Sequence, residues 1–210
     1  SADGVAVNQP AKLAAMEGHY DKSGPADLYL FGWVNNVTQE VTGIKLPGGL
    51  SFLVHQDFDA PITGLNAFPE EDRPGQVNAV FQFYHIMIAI GMFLIGLSVY
   101  ASFLWWRGTL FDKRWLLKIF AFSVLLPQIA NQVGWFAAEM GRQPWIVYGH
   151  LRTSDGFSQE VSSNQILFSL ILFLVVYAIL FLLFIYSVNK KIKHGPYDEA
   201  ENPDEFLKYV

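Results

Sequence analysis

The chain has no cysteine. That excludes disulfides, thiolate metal sites and cysteine nucleophiles, though it leaves the compartment open. Histidine is scarce, with five in 210 residues, and none lies inside a long apolar run. The chain by itself therefore lacks the usual protein ligand of a membrane haem. No phosphate-binding loop, Ser/His/Asp set, metal-protease motif or basic nucleic-acid patch is present, so no nucleic acid is expected among the partners. The sequence starts at Ser1 with no initiating methionine and no signal peptide. A segment of a longer polypeptide, or a renumbered segment after a break, is expected.

What is present is apolar and unevenly spread. Hydrophobic residues make up 52% of the chain and charged ones only 16%. Three stretches carry no charge at all: Ile86–Trp106 (21 residues), Ile119–Ala138 (20) and Ile166–Val188 (23). At 1.5 Å per residue each spans a hydrocarbon core of ~30 Å. The expected fold is an all-α membrane protein. Three transmembrane helices, over about 77–106, 114–140 and 163–190, form one region at 77–190 that is part of a larger helical bundle. An irregular loop domain outside the membrane precedes it.

Residues 1–84 differ in kind. They hold ten Asp/Glu against four Lys/Arg, a net of −6. Glycine and proline punctuate them at Gly24-Pro25, Pro47-Gly48-Gly49, Pro61, Pro69 and Arg73-Pro74-Gly75. One short helix is expected over Pro10–Tyr20, with the proline near its start. Basic residues cluster at Arg107, Lys113, Arg114 and Lys118, and again at Lys190, Lys191 and Lys193. An even number of spans separates the two clusters, so they share a side, and the positive-inside rule makes that side cytoplasmic. Residues 1–84 then lie outside, and a cytoplasmic tail occupies 191–210.

The second span is the chemically informative one. Gln128, Asn131, Gln132, Trp135 and Glu139 recur at helical spacing, and Pro127 interrupts the same helix. Polar groups in a bilayer must face protein, water or a cofactor; hydrogen bonding between helices is one use and an ion or proton path another. Glu139 ends the span with Arg142 at i+3. A salt bridge between them and a cation or proton site at Glu139 both fit. Met87 taken alone reads as core packing rather than an iron ligand. His85, two residues earlier, points to nearly the opposite side of the helix and reads as interfacial. Ser169, Tyr177 and Tyr186 in the third span suggest no catalysis, though Tyr186 suits an interfacial belt.

One run narrows these alternatives. Gly134-Trp135-Phe136-Ala137-Ala138-Glu139-Met140-Gly141-Arg142-Gln143-Pro144-Trp145 resembles a signature of subunit I of the cytochrome bd quinol oxidases. Gln9-Pro10-Ala11-Lys12-Leu13-Ala14-Ala15-Met16-Glu17 is similar to that family's quinol-loop motif. Leu65-Asn66-Ala67-Phe68-Pro69-Glu70-Glu71-Asp72-Arg73-Pro74 resembles the run leading into its next span. The resemblance covers nearly the whole chain, in order, and corresponds to the C-terminal part of the subunit.

The resemblance implies that residues 1–76 form an extracytoplasmic quinol-binding loop and that the three spans bind haem. Lys12 and Glu17 match the positions tied to quinol binding and oxidation. Met87 matches the axial ligand of haem b558, whose histidine partner belongs to the N-terminal part of the subunit. Glu139 matches the carboxylate ligand at the high-spin haem pair, b595 or d. Trp135 matches the tryptophan between haems, and Arg142 a cofactor-binding position. Many members place an arginine two residues before the ligand methionine, where this chain has His85. The implied activity is that of a terminal oxidase in the bacterial cytoplasmic membrane, oxidising quinol, reducing O2 to water and generating proton-motive force. Implied partners are the rest of subunit I, subunit II, small single-span subunits, quinol, O2 and lipid. From the residues alone, a subunit of an ion or proton transporter using Glu139 and the polar stripe is the alternative, and a non-catalytic scaffold a third.

Overall fold

A computed structural model describes residues 2–21, 24–157 and 160–194. The chain divides into two units, one running through Phe157 and one holding the last helix. In the first unit, α1 (Ala2–Asn8) leads into α2 (Pro10–Glu17). Pro10 stands where a missing N–H costs nothing. The helix stops at Gly18, three residues short of the expected end at Tyr20. Gly18 has φ +65° and its N–H donates to the Ala14 carbonyl. A β-carbon there would lie 2.7 Å from Val41 Cγ2, so both backbone and space select glycine.

The loop region has more regular structure than its punctuation predicts. After β1 (Gly24–Pro25), β2 (Leu28–Asn35) and β3 (Glu40–Leu46) form an antiparallel hairpin. Then come α3 (Gly49–His55) and β4 (Pro61–Ile62), which pairs with β1. Two 3-10 turns, at Leu65–Ala67 and Glu70–Asp72, lead to α4 (Val77–Trp106).

The second span is built from α5 (Arg114–Ser123) and α6 (Leu126–Arg142). The break falls just ahead of Pro127, which lacks the N–H needed to continue the helical ladder. A small hairpin of β5 (Trp145–Val147) and β6 (Leu151–Arg152) follows. The second unit contains α7 (Ser163–His194). Three stretches, Glu70–Trp106, Arg114–Arg142 and Ser163–Lys193, are long and apolar enough to cross a membrane. The fold class expected from the sequence is therefore present: a mostly helical multi-pass membrane protein with a loop region ahead of its spans. The tail expected at 191–210 begins inside α7, and its part beyond His194 lies outside the described residues.

Packing ties the loop to the spans. Ala14 and Ala15 of α2 have no exposed surface and meet Val77, Val80 and Phe81 of α4, together with Val34, Tyr20 and Leu65. Small residues on α2 are what allow this close approach. Gly141 of α6 completes the fit, since a β-carbon there would stand 3.2 Å from both Lys12 Cγ and Val80 Cγ1. A second cluster, Leu13, Ala26, Leu50, Val54 and Ile62, closes the loop region on itself. Within it the Ser51 hydroxyl accepts from Ala26 N–H at 2.8 Å. At the far end of α4, Leu97, Ala101 and Leu104 pack on Leu116 of α5.

Candidate functional site

α2, α4 and α6 border a cavity of about 470 Å³. Helix α2 contributes Lys12 and Glu17, α4 contributes Tyr84 and Met87, and α6 contributes Gly134, Ala137 and Ala138. The spacings on α4 and α6, i to i+3 and i+4, each put one helical face toward the same space. The structure thus brings Lys12 and Glu17 of the loop and Met87 of the first span around one cavity.

Glu17 is the unusual group. It is 1% exposed, and neither carboxyl oxygen has a hydrogen-bond partner among the described residues. Burial pushes its pKa up to about 7. The Tyr84 phenol is close enough to counter part of that rise, but no hydrogen bond closes on either Glu17 oxygen. Lys12 is pushed the other way. Burial lowers its pKa first and the Arg142 charge adds to that, while Glu139 opposes both. A carboxyl that titrates near neutrality can take up and release a proton at working pH, which is what acid–base chemistry on a bound hydroxyl requires.

Met87 turns its sulfur to α6. A β-carbon at Gly134 would stand 2.5 Å from Met87 Sδ, so the glycine is what makes room for the thioether. Ala137 and Ala138 continue the same wall of small side chains. A thioether is a soft donor of the kind that can hold a haem iron, and the small residues of α6 leave it room. Among the described residues no cluster of three or more His, Asp and Glu forms a metal site of its own.

Glu139 lies on a neighbouring face of α6, outside this cavity. Its Oε2 pairs with Arg142 Nη2, and both side chains are about one-third exposed, at 38% and 34%. Gln128, Asn131, Gln132 and Trp135 are exposed in this unit. The stripe is therefore available to cofactor or protein outside it rather than used for packing against α4. Lys12 sits between the two faces, since it lines the large cavity and feels the charges of Arg142 and Glu139.

Several contributors are not singled out by the sequence reading. Tyr84 belongs to no quoted motif, and Gly134 opens the signature run without a role assigned to it there. His85 is not merely interfacial: Nδ1 faces the Phe81 carbonyl and Nε2 the Tyr29 carbonyl, each at 2.8 Å. It ties β2 to α4 beside Met87. Arg152 clamps the segment after α6, donating to Asp72 at 2.6 Å and lying 4.9 Å over the Trp145 ring.

Comparison with known proteins finds relatives along nearly the whole chain. The family model described as cytochrome bd terminal oxidase subunit I matches residues 1–196. The chain is 32% identical over 204 residues to the cytochrome bd ubiquinol oxidase subunit 1 of Bacillus subtilis (strain 168), covering 92% of this chain and 44% of that protein. It is 34% identical over 201 residues to the putative cytochrome bd menaquinol oxidase subunit I of the same organism, covering 94% and 44%. The structure of bd oxidase from Geobacillus thermodenitrificans superposes with a TM-score of 0.73 at 31% identity, covering 93% of this chain and 44% of that one. The chain thus spans a little under half the length of these relatives. The transporter alternative receives no support from any of them. On the match along nearly its whole length, the chain belongs to the cytochrome bd terminal oxidase subunit I family.

Proposed function

We propose that this chain supplies the quinol-oxidising loop and part of the haem-binding core of a cytochrome bd quinol:oxygen oxidoreductase. The observation that carries the reading is the shared cavity, where Lys12 and Glu17 meet Met87. Oxidation of a quinol to a quinone releases two electrons and two protons. Reduction of O2 to two waters consumes four of each, so two quinols serve each O2. Haems b558, b595 and d, when bound, supply the electron transfer and the oxygen chemistry.

The side chains divide the remaining work. The Lys12 ammonium donates a hydrogen bond to one quinol oxygen and so orients the ring. Glu17, ionised above about pH 7, accepts a proton from a quinol hydroxyl and passes it outward. Its desolvated surroundings keep bulk water from competing for the hydroxyl. Met87 would hold the b558 iron on the α4 side, close to where the electrons are released. Glu139 would ligate b595 or d, with Arg142 and Trp135 against the same cofactor region. The family reading implies a bacterial cytoplasmic membrane, and the excess of basic residues after α4 and in the last turns of α7 supports an orientation with residues 1–84 outside. The remainder of subunit I, subunit II and small single-span subunits would complete the assembly.

The test is made on the purified assembled complex. Reduced-minus-oxidised spectra should show low-spin and high-spin haem bands, and quinol should drive oxygen uptake. Lys12→Ala or Glu17→Gln should impair quinol-driven uptake while leaving uptake from an artificial electron donor nearly intact. A complex without haem bands would overturn the reading. Equal loss with both donors would remove Lys12 and Glu17 from the quinol site.

A further inference from the structure

Besides the Glu17 carboxyl oxygens, three described side-chain atoms are buried without a hydrogen-bond partner: Gln9 Oε1, Arg142 Nε and Trp145 Nε1. Their residues line one small cavity of about 10 Å³, together with Lys12, Asp72 and Tyr148. One buried acceptor and two buried donors thus belong to residues that line the same cavity, from the start of α2, the end of α6 and the start of β5. A cavity of that size has room for a single water molecule, which needs two to four polar partners. A metal cation would face the Arg142 charge and the indole N–H. An anion would face the Gln9 carbonyl oxygen and the Asp72 carboxylate. A neutral molecule that both accepts and donates satisfies all three atoms at once.

We propose that this cavity is a binding site for one water molecule, which accepts from Arg142 Nε and Trp145 Nε1, donates to Gln9 Oε1, and fixes α2 on α6 so that Lys12 is held in the large cavity. Gln9 is well placed for this. Its backbone carbonyl accepts from Lys12 N–H at 3.1 Å and Leu13 N–H at 3.2 Å, so it anchors the first turn of α2. Lys12 lines both cavities, and Gly141 of α6 lies directly against its side chain. A shift of Gln9 away from α6 therefore moves Lys12. Gln9 and Trp145 act here as positioning residues. The consequence for quinol rests on the oxidase reading above; the water site itself does not.

The experiment uses the assembled complex with Trp145→Phe, Gln9→Leu and the double variant, with haem content per protein as the check on folding. A high-resolution cryo-EM map of the unaltered complex should show one ordered density within hydrogen-bond distance of all three atoms. Each single variant should weaken that density and raise the KM for quinol several-fold, with little change in kcat. The double variant should do no more than the stronger single one, because both act through one water. A map in which protein atoms close the cavity would overturn the proposal. So would KM effects that multiply in the double variant. Failure of the oxidase reading would look different: the unaltered complex would lack haem bands and quinol oxidation, whatever the map shows.

Discussion

Met87 Sδ lies against Gly134 so closely that a β-carbon at position 134 would stand 2.5 Å from the sulfur. The obstacle is the end of a flexible side chain, so the backbone need not move. The thioether must. Gly134→Ala should therefore displace Met87 while the helices stay in place. The expected outcome is a perturbed or lost low-spin haem band with high-spin bands retained, read in the visible spectrum of the assembled complex.

Met87→Leu separates ligation from packing. Leucine keeps approximate volume and removes the sulfur, a swap that usually costs under ~1.5 kcal/mol in a core. Stability should change little. The low-spin spectrum should vanish or convert to high spin. An unaltered spectrum in a fully assembled complex would leave Met87 as packing alone.

Glu17 predicts two pH dependences of opposite sense. Its pKa in the folded protein is raised from 4.5 to about 7. The folded state therefore holds a proton that the unfolded state releases, and stability falls as pH rises between those values. The full shift corresponds to about 3 kcal/mol lost above pH 7. Glu17→Gln should thus lengthen the heat-inactivation half-life at pH 8 and have little effect at pH 4.5. Quinol oxidation should run the other way. In the unaltered enzyme it should rise through pH 7 as the carboxylate forms, and in Glu17→Gln it should be low and flat. A rate profile in the variant that keeps its inflection near 7 would assign the proton transfer to another group.

Arg152 joins segments far apart in sequence by donating to Asp72 at 2.6 Å, with Glu71 at 3.6 Å and the Trp145 ring beneath it. Arg152→Ala should cost about 1–2 kcal/mol, from one partly buried ion pair and one cation–π contact. Arg152→Lys should recover only part of this, because an ammonium cannot stack as a planar guanidinium does. Thermal inactivation of the three proteins checks the order. Full rescue by lysine would reduce the contact to simple charge pairing.

How much of this the sequence carried depends on the range of the interaction. The spans were legible because an uncharged run of twenty residues has few other uses. The Glu139–Arg142 pair was legible from i+3 spacing alone. The β2–β3 hairpin was not, because most of its residues are exposed on both faces and no clean alternation marks it. The shared space of Lys12, Glu17 and Met87 was not either. It depends on alanines of α2 and glycines of α6 letting three helices approach, and no local pattern records that. His85 reads as interfacial until the Tyr29 carbonyl, supplied by a distant strand, fixes its second nitrogen.

Glu139 offers the sharpest test, because the structure shows its salt bridge and the family resemblance implies a ligand. Through Oε2 it pairs with Arg142, and both side chains are about one-third exposed. If that pairing is its whole role, Glu139→Gln leaves a partly buried arginine one charged partner short and costs about 1–3 kcal/mol of stability. Haem content and turnover should then barely change. If Glu139 ligates a high-spin iron, the substitution removes an anionic oxygen donor. Gln128, Asn131, Gln132 and Trp135 on the same helix bring no other anion to replace it. The expected outcome is loss or strong perturbation of one high-spin haem signal, preserved low-spin absorption, and oxygen reduction nearly abolished with either electron donor. That last feature distinguishes it from Glu17→Gln, which should spare the artificial donor. Unaltered haem spectra and turnover would confine Glu139 to its pairing with Arg142.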